Sequence, residues 1–95
     1  METPPIPPEV LEKLVELARV MRAEGRDKYR LAHAVLYLNE RCRLLEEVYR
    51  RAEEYLRFGM EERELTALRL AVEKMRRYRD EEADALATLK KKGGG

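Results

Sequence analysis

The chain holds few residue types that do covalent or metal chemistry, and their spacing sets each of them apart from the others. His33 is the only histidine and Cys42 the only cysteine. On one helix their nine-residue separation amounts to roughly 13 Å of axial rise, too far for shared ligation of one ion. No HExxH, CxxC or paired histidine supplies further ligands, so no metal site and no cofactor are expected. Cys42 falls in an apolar row without a base on its own helix face, which predicts a small packing residue and not a nucleophile. No acid, base and nucleophile converge at helical spacing, so the chain is not expected to be an enzyme. Tyr29, Tyr37, Tyr49, Tyr55 and Tyr78 are expected to pack with their hydroxyls in water.

Charge offers the other candidate. The run KMRRYR at 74–79, with Arg69 one to two turns earlier, sets basic side chains around Tyr78. Arg69, Lys74, Arg76, Arg77 and Arg79 in that arrangement are the residues of a nucleic-acid-binding reading, in which cations meet phosphates and the ring stacks on a base. The run DEEAD follows at once, at 80–84, and the chain as a whole carries 41% charged residues with a net charge of only +1. Interspersed signs of this kind make a solvated helix face the stronger reading. Arg79 and Glu82 also interrupt an apolar row, where their long stems are expected to carry both charges to water.

The elements that position these residues are helices. With 44% hydrophobic residues in periodic order the chain is not disordered, and 95 residues allow one small core. No apolar run reaches the roughly 18–20 residues that span a bilayer. One cysteine, a Pro-rich acidic start and no membrane span predict a cytoplasmic protein. The absence of Ser and Gln and the excess of Arg over Lys suit a thermophile, and suit equally a designed helical bundle without a biological role.

Pro4, Pro5 and Pro7 predict an extended arm over 1–7, and Pro8 opens a first helix over 8–24. Gly25 ends it and Asp27 caps a long helix over 27–58. That helix carries Leu31, Val35, Leu38, Cys42, Leu45, Tyr49, Ala52 and Leu56 at alternating gaps of four and three, the spacing of a coiled-coil seam. A turn at Gly59 and Met60 leads to a third helix over 61–90, with a loose glycine tail at 93–95. The third helix carries Leu65, Leu68, Val72, Met75, Arg79, Glu82, Leu86 and Leu89 in the same alternation. Folding one row on the other pairs Leu56 with Leu65, Tyr49 with Val72, Leu45 with Met75, Cys42 with Arg79 and Leu31 with Leu89.

The expected fold is therefore all-α: a single domain over 8–92, built as a long antiparallel helical hairpin with a short N-terminal helix packed on its open end. The short helix leaves half of the hairpin uncovered, where a second apolar row, Leu44, Val48 and Tyr55, joins Leu70 of the third helix. These four are the expected anchors of a protein interface, with Arg50 and Arg51 as rim charges. The function this architecture favours is a non-enzymatic assembly, adaptor or scaffold protein that binds a helical partner or a second copy of itself.

Overall fold

The computed structural model describes residues 3–93, with side chains to residue 89. Among them are three helices and no strand: α1 (Pro8–Ala23), α2 (Leu31–Arg57) and α3 (Glu62–Gly93). α1 packs on α2 and α2 packs on α3, the all-α arrangement that the periodicity predicts. The chain divides into two compact units, Met1–Glu40 and Arg41–Gly95, and α2 contributes residues to both. Of the glycine tail, only Gly93 lies within the described residues, as the last residue of α3.

In the first unit, Pro7 holds polyproline II angles (φ −58°, ψ 144°), and its carbonyl accepts from the amides of Val10 and Leu11 as α1 begins. Pro8 follows at a position where a missing N–H costs nothing. α1 ends in a Schellman motif: Gly25 takes φ 70°, the Arg26 amide donates to the Met21 carbonyl at 2.8 Å and the Gly25 amide to Arg22 at 3.1 Å. α2 begins four residues later than the spacing predicts, because residues 27–30 make a turn closed by the Arg30 amide on the Asp27 carbonyl. Asp27 still caps α2, from a distance. Its two carboxylate oxygens accept the amides of Ala32 and His33, each at 2.9 Å, and so satisfy two of the orphan donors of the first turn. Partial desolvation raises the Asp27 pKa, but these two amides, with the charges of Arg22 and His33, outweigh it and hold the carboxyl below its ordinary value.

In the second unit, α2 turns into α3 across Gly59 (φ 76°) and Met60 (φ 61°), with the Met60 amide returning to the Tyr55 carbonyl at 2.9 Å. Glu61 opens α3 by accepting the Leu65 amide, and Glu62 and Glu64 place negative charge at its positive end. The Arg41 guanidinium donates to Glu82 at 3.2 Å, which sets the register of the antiparallel pair.

That register corrects the expected seam. Glu82 meets Arg41, where the four-three pairing of the two rows expects Leu38, three residues earlier on α2. Leu31, Val35, Leu38, Cys42, Leu45, Tyr49 and Leu56, expected to face α3, are all exposed, and of their row only Ala52 is partly covered. The half-buried side of α2 within this unit runs through Arg41, Leu44, Val48, Arg51 and Tyr55. On α3, Leu65, Leu68, Val72 and Met75 do lie inward, joined by Ala71, whereas Leu86 and Leu89 are exposed. α1 behaves like α2: its Val10, Leu14, Leu17 row stays exposed while the adjacent Val15 and Ala18 are buried, as is Ala32 of α2. The physical reason is that neighbouring rows on a helix differ by one residue, about 100°. Where two adjacent rows are both apolar, the closest approach goes to the one with small residues, and the end caps set the phase.

Two tests of these turns follow. Gly59→Ala is expected to cost about 1 kcal/mol, because a Cβ there meets open space but must adopt a left-handed φ. Met60→Gly, which relieves the same conformation at an exposed side chain, is expected to stabilise by about 0.5–1 kcal/mol; urea denaturation measures both. Asp27→Ala is expected to lower Tm at pH 7. Because the folded pKa is the lower one, the stabilisation is complete above the unfolded value near 3.8 and disappears as pH falls through the folded value. The Tm gap between variant and parent should accordingly close in acid.

Candidate interaction surface

The outward side of α2 in the Arg41–Gly95 unit carries two parallel rows. The first is apolar: Cys42, Leu45, Tyr49 and Leu56, with Ala52 between the last two. Leu45 is 43% exposed, Tyr49 69% and Leu56 64%, so much of the row is in water. The second row lies one position further on and alternates in sign: Arg43, Glu46, Arg50, Glu53, Arg57, all exposed. Both rows advance by threes and fours because they share one α-helix, and neither is interrupted by Gly or Pro.

The charges of α2 are tied locally. Arg50 and Arg51 both donate to Glu47, Arg51 also donates to Glu54 at 3.3 Å, and Arg57 sits 3.9 Å from Glu53. The hydrogen bonds from Arg50 and Arg51 hold the Glu47 pKa below its ordinary value despite some desolvation, and the bond to Glu47 raises that of Arg51. Glu47, Arg51 and Glu54 are half-buried and the others exposed, and as three- and four-residue pairs within one helix these contacts add little stability.

The expected interface residues divide between two sides. Leu44, Val48 and Tyr55 are half-buried on the side of α2 that also carries Arg41, bonded to α3, while Leu70 of α3 remains 55% exposed and Arg50 is exposed. The larger free apolar area is thus the Leu45, Tyr49, Leu56 row. Spacing identifies that row as a seam, and its exposure shows that it faces out.

On α3, Arg69, Lys74, Arg76, Arg77 and Arg79 are all exposed. Arg76 and Arg77 line an open hollow with Glu73. Tyr78 turns away from the solvated side and is half-buried. His33 is half-buried and gives its backbone amide to Asp27. Among the described residues, no group of three or more His, Cys, Asp or Glu side chains is placed to hold a metal ion, and no helix is long and apolar enough to cross a membrane. Cys42, expected within a core, is exposed. No family model, no curated protein and no solved structure matches the chain.

The ion pair that sets the register is open to test. Arg41 and Glu82 keep 33% and 30% of their side chains exposed, so water screens them. A double-mutant cycle of Arg41→Ala and Glu82→Ala is expected to give a coupling of about 0.5 kcal/mol, falling at high salt.

Proposed function

We propose that this protein is a non-enzymatic helical assembly or scaffold protein that acts through helix–helix contacts and self-associates. One observation carries the reading: the chain leaves uncovered the surface that a folded protein normally buries. Its core among the described residues consists of Val15, Ala18, Ala32, Ala71 and Met75, and no large side chain is fully buried. Its accessible surface is 8495 Å², against about 5,700 Å² for a folded monomer of this mass. Counted as two separate globules, the two units would still expose only about 6,800 Å² by the same scaling. The excess is larger than the roughly 800 Å² per partner that a stable interface covers. Among the exposed apolar side chains, Leu45, Tyr49 and Leu56 lie in a row, as helix–helix association requires. A cytoplasmic setting accords with this reading, since an exposed Cys42 stays a free thiol in a reducing compartment.

A second reading, binding of nucleic acid, draws support from the five exposed basic residues of α3. The acidic residues Glu73, Asp80, Glu81 and Asp84 on the same helix weaken it.

Sedimentation equilibrium over micromolar to hundreds of micromolar concentration tests the first reading. The expected result is a mass that is a multiple of 11.2 kDa; a monomer throughout would overturn it. Fluorescence anisotropy with a labelled single-stranded oligonucleotide at two salt concentrations tests the second, which requires binding that falls steeply with salt.

A further inference from the structure

We infer that the connection from the last turn of α1 to the start of α2, residues 22–30, is a binding site for single-stranded nucleic acid, with Tyr29 as the stacking platform and Arg22, Lys28 and Arg30 as phosphate contacts. The inference does not rest on self-association, and it uses only residues of the Met1–Glu40 unit.

Over 22–30 the chain reads RAEGRDKYR, four cations and two acids in nine residues. Both acids are engaged locally. Asp27 is half-buried and gives its two carboxylate oxygens to the amides of Ala32 and His33, and Glu24 accepts from Arg26 at 2.7 Å. Arg22, Lys28 and Arg30 are exposed, and among the described residues none of these three side chains makes a hydrogen bond or a salt bridge. The Arg22 charge acts on Asp27, so Lys28 and Arg30 are the least neutralised of the group.

Beside them stands an open ring. Tyr29 is 75% exposed, the most of any large apolar or aromatic side chain among the described residues. The Lys28 ammonium lies 5.3 Å from the centroid of that ring. An exposed aromatic face with cations on either side is what recognition of single strands uses, because every base can stack on the ring while the cations follow the phosphates.

The backbone adds a separate observation. Gly25 takes φ 70° and Arg30 takes φ 60°, but only the first is a residue suited to the left-handed region. The Arg30 side chain is exposed, so packing does not account for an arginine where Gly or Asn would be less strained. A contact with phosphate does. The basic run of α3 is less suited to the same ligand, since the acids Glu73 and Asp80 beside it are exposed. A lipid surface would meet the same cations, yet Tyr29 and Leu31 are the only large apolar side chains over 22–31, too little area for insertion.

Fluorescence anisotropy of the full chain with short labelled DNA and RNA single strands tests the site. Three phosphate contacts predict a slope of about −2 in the logarithm of affinity against the logarithm of salt concentration, and Lys28→Ala should reduce its magnitude by about 0.7. Tyr29→Ala should weaken binding about tenfold, whereas Tyr29→Phe should stay within about threefold of the parent. Arg30→Gly separates binding from folding: it should raise Tm, because Gly adopts the left-handed conformation more readily, and still weaken binding about threefold. Failure to bind either strand would overturn the site. Binding that Arg76→Glu/Arg77→Glu abolishes and Tyr29→Ala leaves intact would also overturn it, by moving the ligand to α3. So would equally strong binding of phosphatidylserine vesicles that Tyr29→Ala leaves intact, by assigning the cations to a lipid surface.

Discussion

The structure depends on one constraint: α2 carries two adjacent apolar rows, and α3 covers only one of them. A helix buries a stripe against each neighbour it has, and a hairpin supplies a single neighbour. The cap at Gly59 and Met60, together with the Arg41–Glu82 pair, gives α3 the side of Leu44, Val48 and Tyr55. The row of Leu45, Tyr49 and Leu56 is left in water, where large side chains cost free energy in proportion to their area. α1 repeats the pattern, burying Val15 and Ala18 and leaving Leu14 and Leu17 exposed.

The composition fits that constraint. A face meant for solvent could be polar throughout, yet the outward side of α2 alternates a Leu and Tyr row with a row of opposed charges. Charges flanking an apolar row add little stability when exposed, and they discriminate strongly between partners and orientations when two surfaces meet. The core of each unit is small: Ala18, Ala32 and Ala71 bring helices close without supplying much buried area.

Much of the fold was legible in the sequence. Pro8 and Gly25 bound the first helix, Gly59 ends the second, and Asp27 caps it, all through local chemistry that a single chain states directly. The start of α2 lies four residues beyond Asp27 because Asp27 caps across a turn, and nothing in the residue type reveals that reach. The seam lies one row away from the one the spacing favours, for a different reason. Heptad spacing shows that a row seeks a partner helix, but it does not state whether that helix belongs to the same chain. Phase between two helices is a tertiary quantity, fixed here by two consecutive left-handed residues and one ion pair. Leu44, Val48 and Tyr55, expected as interface anchors, are half-buried, and Leu45, Tyr49 and Leu56, expected in the hairpin seam, are exposed.

Isotope-filtered NMR on a mixture of labelled and unlabelled chains reads the environment of Tyr49 directly. The account predicts intermolecular contacts to the Tyr49 ring, with none to Val72 of its own chain. Contacts between Tyr49 and Val72 within one chain, and none between chains, would contradict it.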